Sequence, residues 1–107
     1  MDKAAVLTRN EAIGLVRRYK QIIAPRFNND VEVRMFGSYA KGNAHPWSDI
    51  DVAVIVPKVE EDKWLNTSVS LGMDVEQVSL RIEPVLMEQG EDTMLYREVM
   101  RTGVAVE

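Results

Sequence analysis

The stretch from Gly37 to Val56, GSYAKGNAHPWSDIDVAVIV, constrains the fold of this chain more than any other. Beyond Asp51 its last segment is apolar at every position up to Pro57. A short apolar run of this kind predicts a central strand that is covered on both faces. A chain containing such a strand must supply a packed layer for each face, which favours helices on both sides of a sheet.

Two aspartates stand at the start of this strand. Asp49 and Asp51 are one residue apart, so their side chains project to the same face of an extended chain. At a separation of roughly 7 Å and an effective dielectric of about 20, the two negative charges repel by about 2 kcal/mol. A hard divalent cation bound by oxygen ligands offsets that repulsion, so the pair predicts a metal site.

Length and composition exclude several classes of protein. The chain has 107 residues, which predicts one domain over residues 1–107 with a single core. Cysteine is absent, which excludes disulfides, thiol catalysis and thiolate metal sites. The N-terminal segment lacks the apolar core of a signal peptide, and no run of about 18 apolar residues predicts a membrane span. We therefore expect a cytoplasmic protein without a membrane partner.

The formal net charge of −4 argues against binding of extended nucleic acid. Such proteins need clustered lysine and arginine to displace counterions from the phosphate backbone. Two bound divalent cations would bring the sum of charges to about zero, so part of the acidity is consistent with a metal site. An ordinary acidic surface accounts for the charge equally well.

Hydrophobic periodicity predicts the remaining elements. Helices are expected over 8–24, 59–71 and 92–102, and strands over 31–36, 50–56 and 78–87. The order α-β-β-α-β-α predicts an α/β (α+β) domain in which helices pack on a small mixed sheet. Pro84 predicts either an edge position for the third strand or a strand that ends early, because proline cannot donate to the ladder.

The ends and inner faces of the helices can also be predicted. Thr8 and Glu11 form a capping-box pattern, and Pro25 should end the first helix. Gly103 is a candidate C-cap for the last helix. The predicted inner faces are Ala12, Leu15, Val16, Tyr19, Ile22 and Ile23 in the first helix, Trp64, Leu65 and Val69 in the second, and Met94, Leu95, Val99 and Met100 in the last.

The turn before the loop has its own chemistry. Gly37 permits a tight turn and a close approach to a ligand, and Ser38 adds a hydroxyl group. A short helix that begins near Ser38 would direct free amides at the turn, an environment that suits a phosphate. A glycine-serine pair alone is an ordinary turn. Followed by a ten-residue loop and Asp-x-Asp at the head of a buried strand, it is much more specific.

These residues resemble a known family. The stretch 37–56 is similar to the nucleotidyltransferase signature of the polymerase-beta-like superfamily, particularly its minimal, single-domain branch. The resemblance covers residues 31–56 closely and the layout of the whole chain more loosely. It implies a nucleotidyltransferase fold and a site where two magnesium ions bind a nucleoside triphosphate. A nucleotidyl group, expected to be AMP from ATP, would pass to an acceptor with loss of pyrophosphate.

The resemblance also implies roles for individual residues. Asp49 and Asp51 match the metal-binding pair, and Gly37 and Ser38 match the phosphate-contacting pair. Glu83 matches the third carboxylate, where the family more often has aspartate, and it would ligate a metal ion or take the proton of the acceptor hydroxyl. Asp74 and Glu76 are weaker alternatives for this third acid.

Other residues of the loop have both a functional and an ordinary explanation. Lys41 is a candidate ligand of the triphosphate or a solvated lysine. Ser48, which we group with the nucleotide-binding residues, could orient Asp49 or cap the turn. His45 fits an ordinary loop residue better than a catalyst. Trp47 could stack on a base, although we expect it to pin the loop against the domain.

The acceptor is the least constrained part of the prediction. So short a chain leaves little sequence for an acceptor surface, so we expect a second copy or a protein partner to supply it. The family resemblance implies an adenylyltransferase that acts as the antitoxin of a HEPN-type toxin. The alternatives are a catalytically weak or inactive nucleotide-binding module that neutralises or scaffolds a partner protein by direct binding, and a nucleotidyltransferase for a small molecule such as an aminoglycoside.

Overall fold

A four-stranded mixed sheet organises the chain. The structure, a computed structural model, describes residues 5–107, so the first four residues of the predicted domain 1–107 lie outside the described range. The strands are β1 (Glu32–Phe36), β2 (Ile50–Val56), β3 (Ile82–Glu88) and β4 (Val104–Val106), in the order β3-β2-β1-β4. Strand β1 pairs antiparallel with β2 and β4, whereas β2 and β3 are parallel.

Four α-helices connect and cover these strands. They are α1 (Arg9–Ile23), α2 (Ser38–Lys41), α3 (Trp64–Asp74) and α4 (Met94–Thr102). Turns of 3-10 helix at Ala24–Phe27, Glu61–Lys63 and Val75–Gln77 extend the end of α1 and flank α3. None of the helices in the described part of the chain is long and apolar enough to cross a membrane. The mixed sheet with packed helices confirms the predicted fold class.

The local signals of α1 are confirmed. The Thr8 hydroxyl accepts a hydrogen bond from the Glu11 amide at 3.0 Å, and the Glu11 carboxylate accepts one from the Thr8 amide at 2.8 Å. The α-helix ends before Pro25, which lies in the following 3-10 turn. Four residues of its predicted inner face are fully buried, namely Ala12, Val16, Tyr19 and Ile23.

Strand β2 is buried on both faces, as its sequence predicts. Val52, Val54 and Val56 pack in the larger core cluster with α1 and the end of α3. Ala53 and Ile55 point to the opposite face and pack with Val99 of α4. Burying a valine or isoleucine side chain contributes roughly 1.5–3 kcal/mol, so this strand supplies much of the core.

The prediction for α3 is wrong in its boundaries and in its inner face. The helix begins at Trp64 and continues through Gly72 to Asp74. Trp64, Leu65 and Val69 are exposed rather than buried. Contacts with α1 and its 3-10 extension fix the orientation: the Tyr19 hydroxyl donates to the Leu71 carbonyl at 2.7 Å, and Arg26 binds Asp74 at 2.7 and 2.9 Å.

The prediction for β3 starts too early. A turn at its start, in which the Ile82 amide donates to the Ser79 carbonyl at 3.2 Å, delays the strand and leaves Leu80 exposed. Of the two alternatives that Pro84 predicts, the edge position is confirmed, because β3 is one of the two outer strands and continues past Pro84 to Glu88. The short strand β4 was not predicted. Its three residues form a strand only because β1 offers them a free edge.

Helix α4 also departs from its predicted face. Gly103 does serve as its C-cap, donating to the Val99 carbonyl at 2.7 Å. Val99 is buried, but Met94, Leu95 and Met100 are exposed. The reason is that the core cluster under α4 is small: Val99 is the buried residue that α4 contributes to it, and half-buried Tyr96 packs beside it.

Candidate active site

The predicted carboxylates come together at one end of the sheet. Asp51 is paired in register with Phe36 of β1 on one side and with Glu83 of β3 on the other. Residues paired across neighbouring strands project to the same face. Because Asp51 alternates with Val52, its side chain lies on the α4 face of the sheet, as does that of Glu83. Asp49 lies one residue before β2 and is exposed.

The turn after β1 is built against Asp51. Gly37 has φ 75° and ψ −152°, a conformation that side chains disfavour. A Cβ atom at this position would overlap Oδ2 of Asp51. The glycine is therefore required twice, for its backbone angles and for the close approach of the carboxylate. The predicted short helix is confirmed as α2, in which the Ala40 and Lys41 amides donate to the Gly37 carbonyl at 3.1 and 3.0 Å.

The site carries an unbalanced negative charge. The pKa of Asp51 is raised above its ordinary value, first by partial burial and then by the charges of Asp49 and Glu83. Oxygen donors with mutual repulsion fit a hard cation such as magnesium. Among residues 5–107, however, no three histidine or acidic side chains form a preassembled metal site. The donor chemistry of Asp49, Asp51 and Glu83 nevertheless fits a cation.

The loop before Asp49 is held by Ser48. Its amide donates to the His45 carbonyl at 2.9 Å, and its hydroxyl oxygen accepts from the His45 amide at 2.9 Å. Ser48 therefore caps the turn, and a contact with nucleotide stays a prediction. Trp47, at the tip of this turn, is 78% exposed, so the expectation that it pins the loop is wrong.

Lys41 has a structural partner. Its ammonium group lies 3.7 Å from the Glu98 carboxylate, which ties α2 to α4. The pKa of Glu98 is lowered, mainly by its hydrogen bond from Arg101. Both groups of the Lys41 pair are half-exposed, so this ion pair can break at little cost and leave Lys41 available to a phosphate. Its contact with nucleotide stays a prediction.

The two alternatives for the third acid lie elsewhere. Asp74 is buried and bound to Arg26 by two hydrogen bonds. Glu76 lies in the 3-10 turn after α3, and its side chain is exposed. Only Glu83 is paired with Asp51 across the sheet, so it is the acid that the fold places beside the aspartates.

Arg81 and Tyr39 also belong to the site's framework, although sequence analysis did not select them. The Arg81 carbonyl accepts a hydrogen bond from Ile50, between the two aspartates, at 2.8 Å. Its guanidinium donates to the Tyr39 hydroxyl at 2.8 Å and to the Ala5 carbonyl at 2.6 Å. Arg81 thus joins the starts of β2 and β3 to α2. The only sequence signal is an arginine two residues before the candidate acid.

Comparison with known proteins gives a match to one protein family. A family model described as a nucleotidyltransferase domain matches residues 16–104. Among proteins with curated functions, none matches this sequence significantly.

Several solved structures have the same fold. A nucleotidyltransferase candidate from Sulfolobus solfataricus superposes with a TM-score of 0.69 at 21% identity, covering 98% of this chain and 87% of that one. A toxin-antitoxin structure with AMP-PNP has a TM-score of 0.58 at 19% identity, covering 85% and 72%. A mutant of the toxin-antitoxin MntA-HpeT has a TM-score of 0.57 at 20% identity, covering 94% and 73%. At these identities the likeness establishes the fold alone.

Proposed function

The chain belongs to the nucleotidyltransferase domain family, and we propose that it is a magnesium-dependent adenylyltransferase that transfers AMP from ATP to a protein acceptor. The observation that supports this proposal best is the position of Asp51. Its carboxylate lies against Gly37, and Asp51 is paired with Glu83 on the neighbouring strand. The turn proposed to bind phosphate therefore lies next to the acidic residues proposed to bind metal. Phosphoryl chemistry needs positioning and charge neutralisation more than a protein nucleophile, and this site has the parts for both.

Each group has a part in the proposed reaction. Gly37 and Ser38 bind the triphosphate, and the positive charge of Lys41 contacts its phosphates. Ser48 holds the loop before Asp49. The acceptor hydroxyl gives its proton to a carboxylate, for which Glu83 is the best placed, and its oxygen bonds to the α-phosphorus. The bond from that phosphorus to the oxygen bridging it to the β-phosphate breaks, and pyrophosphate leaves with the electron pair.

Asp49, Asp51 and Glu83 are the residues that would hold magnesium, in two ions if the family pattern applies. When bound, the metal would neutralise charge on the phosphates. The pKa of Asp51, raised first by partial burial and then by the charges of Asp49 and Glu83, supports this assignment, because a bound cation would offset that repulsion.

The proposed acceptor is a partner protein, and the proposed role is that of an antitoxin that modifies a HEPN-type toxin. Two of the structural neighbours are toxin-antitoxin complexes, one of them solved with AMP-PNP. This supports a nucleotide and a protein partner for the present chain.

The decisive experiment measures label transfer. The protein is incubated with magnesium and ATP labelled at the α-phosphate, with and without the candidate partner, beside Asp49→Asn, Asp51→Asn and Glu83→Gln. We expect transfer to the partner to fall at least about a hundredfold in each variant, which corresponds to roughly 2.7 kcal/mol of transition-state stabilisation. Asp30→Asn, which removes an exposed carboxylate next to β1, is the matched control and should keep full activity.

Two results would contradict the proposal in different ways. Unchanged transfer by Glu83→Gln would remove Glu83 from the site. If the wild type neither transfers label nor binds ATP with magnesium, while partner binding survives in both aspartate variants, the chain is a binding module. Label transfer to an aminoglycoside in place of a protein would support the small-molecule alternative.

A further inference from the structure

Helix α3 exposes several of its large apolar side chains, although its Leu71 is buried in the core. Leu65 is 72% exposed, Val69 51% and Met73 67%, and their spacing of four residues places them on one face of the helix. The opposite face carries half-buried Thr67 and buried Asp74. Leaving a leucine, valine or methionine in water forgoes roughly 1.5–3 kcal/mol of burial each. Three such side chains in line indicate a surface that a partner covers.

This apolar stripe, defined as Leu65, Val69 and Met73, is open to a close approach. Gly72 lies beside Met73, and a Cβ atom added there would meet no atom within 4 Å. In a helix interior glycine costs roughly 0.5–1 kcal/mol relative to alanine. The missing side chain leaves the surface low beside the stripe, so the backbone of a partner could approach closely there.

Acidic residues stand at both ends of the stripe. Glu60, Glu61 and Asp62 are exposed before the helix, next to Lys63, and Glu76 is exposed after it. A second copy of the chain would bring like charges together whether the two helices ran parallel or antiparallel, which disfavours self-association. A partner with basic residues at both ends of an apolar helix would instead complement the stripe.

We propose that the apolar stripe of α3 docks an amphipathic helix of a partner protein, with lysine or arginine flanking the apolar face of that helix. Recognition of this kind uses apolar anchors at helical spacing, and basic flanks would fix the direction of the bound helix. The inference rests on the proposed protein partner. The inference adds the surface of this chain that binds the partner, and the chemistry of the partner's helix that binds it.

The stripe and the carboxylates lie on different sides of the sheet. Leu71 and Val75 anchor α3 in the larger core cluster, whereas Asp51 and Glu83 project to the face that α4 covers. Binding and catalysis can therefore be tested separately.

Fluorescence anisotropy can measure docking on the full chain without nucleotide or magnesium. The probes are two labelled peptides of about 20 residues, long enough to form a helix, with leucines at i, i+4 and i+7. One peptide has lysines at both ends and the other has glutamates. We expect the lysine-flanked peptide to bind at least about tenfold more tightly, a difference of 1.4 kcal/mol.

Matched variants locate the binding surface. Leu65→Glu and Val69→Glu should each weaken binding of the lysine-flanked peptide by about tenfold or more. Met94→Glu is the control, because Met94 is 81% exposed on α4 and should not affect binding. Gly72→Ala should raise the unfolding temperature of the free chain and yet weaken binding, a combination that simple loss of structure cannot produce.

The remaining outcomes are equally definite. Absence of binding, equal binding of both peptides, or binding that survives Leu65→Glu and Val69→Glu would overturn the proposal. A dimer seen by light scattering that Val69→Glu dissolves would assign the stripe to a second copy, which also overturns it. Because Asp49→Asn should bind the peptide normally, a failure of the proposed catalysis would leave the docking result unaffected.

Discussion

Helices α1 and α3 lie on the same face of the sheet, yet they differ in how much of their apolar surface is buried. In α1 the apolar face is buried and the charged residues Arg17 and Arg18 are exposed. In α3 the apolar side chains of Leu65 and Val69 are exposed, and Asp74 is buried. Periodicity identifies an amphipathic helix correctly in both cases. Which face turns inward is decided by contacts with other elements, as the bonds from Tyr19 and Arg26 to α3 show.

The largest effect is expected in the buried face of α1. Ile23→Ala should lower the free energy of unfolding by about 2–5 kcal/mol, because Ile23 is fully buried and its loss leaves a cavity. Urea denaturation measures this change. A loss below about 1 kcal/mol would mean that the surrounding core collapses to fill the space. The buried face of α1 would then contribute less to the free energy of unfolding than its burial indicates.

A smaller effect is expected where the two helices are joined by charge. Arg26→Met should cost about 1–3 kcal/mol, because it leaves the Asp74 carboxylate buried without its partner. Arg26 is itself 46% exposed, so water can replace part of the lost bonding. The double variant Arg26→Met with Asp74→Leu should recover most of this stability. If it does not, the pair does more than orient α3.

The stability that Tyr19 contributes should depend on pH. Burial and, next, the charge of Asp74 raise the pKa of the Tyr19 phenol above its ordinary value of 10.0. A group whose pKa is higher in the folded state contributes stability below its unfolded pKa and loses that contribution as pH rises. Tyr19→Phe should therefore cost about 1–2 kcal/mol at neutral pH, from the lost bond to Leu71.

The same variant should respond less to alkali. Urea midpoints measured between about pH 9 and 12 should fall less steeply for Tyr19→Phe than for the wild type. Tyr96→Phe, on α4, is the control and should follow the wild type. Parallel curves for Tyr19→Phe and the wild type would show that ionisation of Tyr19 is not coupled to unfolding.

The smallest effect is expected on the exposed face of α3. Leu65→Ala should change the free energy of unfolding by less than about 0.5 kcal/mol, since it removes a side chain that packs on little of the chain. Leu71→Ala, on the same helix but buried, should cost about 2–5 kcal/mol. Equal losses in the two variants would show that the outer face of α3 is not a free surface.

The parts of the fold that local chemistry determines could be predicted. The capping box of α1, the bounds of β2 and the edge position of Pro84 each follow from a few neighbouring residues. Strand β4 could not be predicted, because Val104–Val106 pairs with β1 about 70 residues away, and three residues carry no periodicity. The prediction of the inner face of α4 was wrong for a similar reason, since the buried residues of α4 depend on the small cluster around Val99.

The candidate site divides in the same way. Asp49, Asp51, Gly37 and Ser38 stand in one short stretch whose spacing is informative. Glu83 could be selected because the family resemblance implies a third acid on the strand after the connecting helix, and its pairing with Asp51 agrees. Arg81 and Tyr39 escaped notice, because their bond joins residues 42 positions apart and neither belongs to a motif.

The two edges of the sheet affect how a partner can recognise this protein. Pro84 removes a backbone donor from β3, and β4 has only three residues, one of whose carbonyls accepts a hydrogen bond from Lys20 at 3.1 Å. Neither edge offers a long ladder for a foreign strand, a type of pairing that depends on backbone rather than on sequence. Recognition through side chains remains, and a single complementary substitution can alter it.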